Sequence, residues 1–182
     1  LPASKLGPFL SDVTAARSQG VMQRADLEGS ALALGVDSML TRTENGGWTA
    51  MLPLRPDMAS LSVGSNNFPT RVYENPPDLV DWLAGEMVKY DVKPEIEAFD
   101  LSHILKAHEM WKKGQITEVP YVQFVMGVKN AMPADREVFD YYIKTVHRLF
   151  GEGAPWCAAG IGPNQIVLND WAVSMGGHAR TG

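Results

Sequence analysis

From about residue 58 to the end of the chain, apolar and polar positions follow two alternating rhythms. Short runs of apolar residues are separated by longer stretches in which apolar residues recur every three or four positions. Residues 58–63 read as a strand. Residues 76–90 read as a helix, with Leu79, Leu83 and Met87 on one stripe and prolines 76 and 77 suited to its first turn. The order then repeats as a strand over 95–99, a helix over 101–113, a strand over 119–126 and a helix over 134–150 stopped by Gly151. A strand over 156–161, a helix over 164–175 ended by Gly176-Gly177 and a strand from residue 178 to 181 complete it. Upstream, residues 26–34 suit a helix and 36–40 a strand, so the chain carries about six strands.

Strands alternating with helices of this length predict a parallel sheet built from βαβ units. An open doubly wound sheet and a closed barrel share that rhythm, and the polarity of the strand faces separates them. Ala59, Leu61 and Val63 oppose Ser60 and Ser62; Ile96 and Ala98 oppose Glu95 and Glu97; His178 and Arg180 share one face. A sheet covered by helices on both sides calls for continuous apolar strands. Polar residues on one face instead suit a (β/α)8 TIM barrel whose interior carries a site near the strand ends.

A complete barrel takes roughly 250 residues, against 182 here. Six strands with an unpaired edge do not close, so residues 1–182 are expected to form a single domain, the central and C-terminal part of a barrel. Residues 41–56 contain a turn signal, Asn45-Gly46-Gly47, but scarcely room for a crossover helix.

Composition narrows the function classes. The net charge is −5, which leaves no basic field for nucleic acid or an acidic membrane. No apolar run of about 18 residues is present to span a membrane, and the first residues make a poor signal peptide. Cys157 is alone, so no intrachain disulfide forms and a cytoplasmic location is the default.

Five segments carry a more specific signal: RPDMASLSVGSNNF (55–68), KPEIEAFDLSH (93–103), QFVMGV (123–128), AGIGPNQ (159–165) and GGHARTG (176–182). In order and spacing they resemble the β-keto acid cleavage enzymes, whose founding member acts on 3-keto-5-aminohexanoate. The resemblance implies a homo-oligomeric barrel, dimeric or tetrameric. It also implies a retro-Claisen exchange in which a β-keto acid and acetyl-CoA give acetoacetate and a new acyl-CoA. It further implies zinc, held by a His-x-His pair on an early strand and a Glu just beyond the G-H-x-R-x-G motif. No His-x-His occurs in this sequence and the motif's last glycine is Gly182, so no metal ligand is assigned here. Two rivals stand beside this reading: another metal-dependent barrel lyase or aldolase that forms an enolate without CoA, and an inactive, truncated barrel that assembles with a second chain.

The resemblance matches Arg180 to the family's catalytic arginine, and a guanidinium on the last strand suits a substrate carboxylate. The plainer reading is a structural ion pair with an inward acid such as Glu97. Glu97 matches the second glutamate of the family's P-E-x-E motif and, facing inward, must meet a cation, a metal-bound group or substrate; Glu95 is expected to lie deeper as a structural group. Ser60 corresponds by spacing to a hydroxyl near the family's substrate, although a small inward residue also simply fills a barrel layer. Asn66, Asn67 and Asn75 follow the C-terminal end of a strand and are candidates to bind substrate or CoA, or turn formers. Gly160 and Gly162 open a helix and offer backbone N–H groups to a CoA phosphate, or form a tight turn. Thr41 and Thr43 depart from the family's spacing and are left out. Among the histidines, His103 and His108 lie five apart and share no helix face. His108 belongs to an apolar stripe, and His147 lies near a helix end. His178 faces inward two residues before Arg180 as a positioning candidate.

Overall fold

In the computed structural model, residues 41–42, 48–49 and 56–181 are described. Thr41–Arg42 (β1) and Trp48–Thr49 (β2) pair antiparallel, Thr41 opposite Thr49, across the segment that holds the Asn-Gly-Gly turn signal. A linkage of this kind needs no crossover helix. The expected helix over 26–34 and strand over 36–40 lie outside the described residues.

The main sheet has five parallel strands: Met58–Leu61 (β3), Lys93–Ala98 (β6), Tyr121–Met126 (β7), Trp156–Gly160 (β8) and His178–Arg180 (β9). Their order, β3-β6-β7-β8-β9, follows the chain without reversal. A doubly wound sheet reverses its strand order at a switch point; a barrel does not. The helices Pro77–Tyr90 (α1), Leu101–Lys112 (α2), Arg136–Phe150 (α3) and Gln165–Ser174 (α4) all pack on one side of it. Between sheet and helices lies one apolar layer. It takes Ala59, Ile96, Val122, Phe124 and Ala158 from the strands and Leu83, Ile104, Phe139 and Leu168 from the helices. The opposite face carries Ser60, Glu95, Glu97, Gln123 and Arg180, as the alternation along the strands predicts. This is the one-sided arrangement of a (β/α)8 TIM barrel.

Local chemistry explains where elements begin and end. The carboxylate of Asp100 accepts the Ser102 N–H at 2.8 Å and starts α2. Asp135 does the same for Glu137 at 2.9 Å, so α3 starts at Arg136 rather than 134. Pro120, which has no N–H, precedes β7 and accounts for its start two residues later than the apolar run suggests. The last helix is shorter than its pattern, because Gly162–Asn164 forms a 3-10 turn before it. In its expected stripe Leu168 and Ala172 are buried, whereas Met175 is 45% exposed. His108 packs against the rings of Trp111 and Phe150, as its stripe predicts.

One feature above the sheet has no counterpart in the sequence pattern. Asn66–Asn67 (β4) and Val72–Tyr73 (β5) form a short antiparallel hairpin after β3. Phe68 and Tyr73 from this hairpin stack at 5.7 Å, and both meet Phe99 at the end of β6.

Candidate active site

Three clefts among the described residues adjoin the sheet. One, about 270 Å³, lies at the N-terminal strand ends between Asp57, Met87, Lys93 and Glu118. Another, about 340 Å³, lies against Trp156 and His178 beside His147 and Glu152. The third, about 670 Å³, lies at the C-terminal ends, where barrel enzymes build their sites. Its apolar wall includes Phe68, Phe99, Val125 and Ile161, and its polar groups are Glu97, Gln123, Gln165, Arg180 and Thr181.

Arg180 reaches this cleft from the end of β9. Its Nη1 donates to Gln123 Oε1 at 3.1 Å and lies 3.8 Å from Glu95 Oε2. The Gln123 amide in turn donates through Nε2 to Glu95 Oε1 at 2.7 Å. Glu95, not Glu97, is therefore the acid that faces Arg180. Glu97 belongs to a separate chain of contacts: the Ser62 hydroxyl donates to it at 2.8 Å, and Ser62 meets the Tyr73 hydroxyl at 3.2 Å. Through Tyr73 the hairpin over the cleft is tied to the carboxylate inside it.

The remaining candidates separate. Ser60 is buried, donates to Glu95 at 3.4 Å, and does not line the cleft. Asn75 closes its own loop, its backbone N–H to Ser65 and its side chain to Gly64 O. Asn66 is buried with an Nδ2 that meets no acceptor among the described residues, and Asn67 is exposed. Gly160 lines the cleft, and a Cβ there would stand 2.5 Å from the Asn164 carbonyl oxygen, so the tight turn alone accounts for this glycine. Gly162 has φ +60° and open space around it. His178 faces inward but below the cleft, where it stacks on Tyr121 and shares a 2.8 Å hydrogen bond with its hydroxyl.

The floor beneath Arg180 is inert by its surroundings. Burial, then the Glu95 carboxylate, push the Cys157 thiol up to about 12. Burial also holds the Tyr121 phenol well above its usual range. Neither group supplies a nucleophile at neutral pH.

The zinc site implied by the resemblance finds no fit in these residues. Among the described residues, no three His, Cys, Asp or Glu side chains are grouped to hold a metal ion. The nearest acids to the cleft, Glu95 and Glu97, are engaged by Gln123 and Ser62.

Sequence reasoning passed over Gln123, Ser62, Tyr73 and the link from Glu95 to Arg180. One signal for Gln123 was present: it is a polar residue at an inward position of a strand otherwise apolar.

Five parallel strands in chain order, with helices on one face and Glu95, Gln123 and Arg180 on the other, define the class as an α/β barrel fold. Residues 15–182 match the family model for beta-keto acid cleavage enzyme. The chain belongs to the β-keto acid cleavage enzyme family. It is 59% identical over 139 residues to a 3-oxoadipate:acetyl-CoA acetyltransferase of Cupriavidus necator, covering 76% of this chain and 48% of that protein. It is 33% identical over 130 residues to a 3-keto-5-aminohexanoate cleavage enzyme of Fusobacterium nucleatum, covering 71% and 46%. The chain thus spans about half the length of the curated relatives it matches. Among solved structures, the binary complex of ObcA with oxaloacetate is similar at TM-score 0.56 and 18% identity, over 68% of this chain and 34% of that one. That likeness concerns the fold.

Proposed function

We propose that the protein carrying this chain cleaves a β-keto acid with acetyl-CoA, and that its keto acid is 3-oxoadipate, the substrate in the name of the 59% identical relative. In the overall reaction the bond between C2 and C3 of the keto acid breaks. The two-carbon carboxylate fragment joins the acetyl group as acetoacetate, and the remaining acyl group becomes the thioester of CoA. The carboxylate of that fragment is present in both the keto acid and acetoacetate, so one fixed anchor serves throughout.

The observation that supports this reading is Arg180 at the cleft, with one N–H held by Gln123 and further donors of its planar fork available for a carboxylate. Glu97, fixed by Ser62, lines the same cleft and is assigned to proton handling; Ser60 supports Glu95 from below. The apolar wall of Phe68, Phe99 and Val125 keeps water from the reacting carbons. His178, Asn66 and Asn67 enter as outer contacts to substrate or CoA, Gly160 and Gly162 through the turn they form at the end of β8, and Asn75 through the loop it closes on Ser65 and Gly64. Zinc dependence, dimeric or tetrameric assembly and a cytoplasmic location belong to the same proposal on the family resemblance; no step above runs through a metal. Elemental analysis, sedimentation and cell fractionation test those three points.

The deciding assay incubates the full-length protein with 3-oxoadipate and acetyl-CoA and measures acetoacetate and succinyl-CoA. Arg180→Ala is expected to lower kcat/KM by about a hundredfold or more, the loss of a charge-assisted, two-pronged contact. Unchanged kinetics in that variant would remove Arg180 from the site. Cleavage that proceeds without acetyl-CoA would favour a barrel lyase instead.

A further inference from the structure

Arg180 and Glu95 stand 3.8 Å apart at their nearest recorded atoms, beyond hydrogen-bonding distance. Opposite charges this close in a half-buried place ordinarily close into a two-pronged pair, the strongest geometry open to a guanidinium and a carboxylate. Here the Gln123 amide occupies the gap. Its Nε2 donates to Glu95 at 2.7 Å, its Oε1 accepts from Arg180 at 3.1 Å, and the residue is only 2% exposed. The amide has one workable orientation, since a flip would face N–H against the guanidinium and oxygen against the carboxylate.

We propose that Gln123 is a positioning residue that keeps Glu95 from capturing Arg180, so that the guanidinium stays open to a ligand carboxylate. This rests on the reading of Arg180 as the carboxylate anchor. The acid still serves Arg180: at this distance it balances the charge and holds the side chain in place without filling its donors. A glutamate at position 123 would add a second carboxylate beside Glu95, and an apolar residue would leave Glu95 without its amide donor. In either case Arg180 would be drawn toward acid. Glutamine is the side chain of this size that can donate to one partner and accept from the other.

The test uses the full-length protein and compares wild type, Gln123→Met, Glu95→Gln and the double variant. Met matches Gln in length and removes both hydrogen bonds. Gln123→Met is expected to raise KM for the keto acid about tenfold to a hundredfold, the worth of a hydrogen bond to a charged group, with KM for acetyl-CoA little changed. Adding Glu95→Gln should recover most of that loss, because the carboxylate recorded against Arg180 is then gone. A Gln123→Met enzyme with unaltered KM for the keto acid overturns the proposal. So does a double variant as impaired as Gln123→Met, which is what a merely structural role would give. If wild type shows no activity on any β-keto acid, the functional reading fails separately. The role of Gln123 is then read from a crystal structure of Gln123→Met: contraction of the Arg180–Glu95 contact to hydrogen-bonding distance supports it, and an unchanged gap overturns it.

Discussion

The imidazole of His103 is 5% exposed, and its Nδ1 accepts the Phe99 N–H at 3.3 Å. Gly64 lies so close that a Cβ there would stand 2.8 Å from the ring. Burial lowers the His103 pKa below its ordinary 6.5, with Asp100 acting weakly the other way. The native state therefore binds this proton less readily than the unfolded chain does. Stability is unaffected by His103 above pH ~6.5 and falls as the pH drops from there toward the lowered folded value. Asp100 has the opposite consequence in a separate window. Hydrogen bonds from Ser102 lower its pKa, so its stabilisation holds above the usual carboxylate range and is lost as the pH falls through the lowered value. Chemical denaturation at pH 7 and pH 5.5 should show a drop in stability that His103→Asn diminishes, and NMR should find the ring's titration midpoint below 6.5. A midpoint at or above 6.5 would contradict the burial argument. None of this is visible in the sequence, where His103 is one polar residue on a helix. The site residues were partly visible: strand alternation turns Arg180 and Glu97 inward, yet alternation says nothing of which acid Arg180 meets. Stagger between strands decides that, and it sets Glu97 opposite Gln123 and Gln123 opposite Cys157.

At the scale of elements, the turn from β8 into α4 shows how closely the chain packs above the sheet. An added methyl at Gly160 would meet the backbone of Asn164 and Gln165, at 2.5 to 2.8 Å, and neither can swing aside. Gly160→Ala should destabilise the protein by about 1–3 kcal/mol, measured by urea unfolding, with slower turnover because the turn borders the cleft. Gly162→Ala meets open space and carries only the strain of its positive φ, on the order of 1–2 kcal/mol. Equal stability of Gly160→Ala and wild type would mean that the turn shifts freely. The four helices and the strands β3, β6, β7 and β8 were legible because each buries apolar residues in the same layer, and that requirement writes itself into the residue order; β9 buries none and was legible from the Gly176-Gly177 stop before it. Their limits moved by a residue or two, where caps such as Asp135 and the missing N–H of Pro120 intervene. The hairpin of β4 and β5 was not legible. Its strands are two residues each, too short for any alternation to register, and what positions them is contact at a distance: Tyr73 to Ser62, and Phe68 to Phe99.

Across the whole molecule the sheet divides the labour between its faces. The helix side is apolar and closely packed; the other carries the polar groups assigned above to the proposed ligand site. Stability and chemistry should therefore respond to different substitutions. Ile104 of α2 is fully buried in the apolar layer. Ile104→Val removes one methylene's worth of packing and should lower stability by about 0.5–1.5 kcal/mol, while KM for the keto acid stays within about twofold, since no atom of Ile104 lines the cleft. Gln123→Met should differ in its kinetics. It takes the amide donor from the Glu95 carboxylate, which costs about 1–3 kcal/mol of stability unless Arg180 closes onto the acid, and the defect that sets it apart from Ile104→Val is in KM. Thermal unfolding and steady-state kinetics on the same two preparations distinguish these outcomes. If Ile104→Val raised KM as much as Gln123→Met did, the two faces would be mechanically coupled, and the polar face could not be altered for new ligands without reworking the core beneath it.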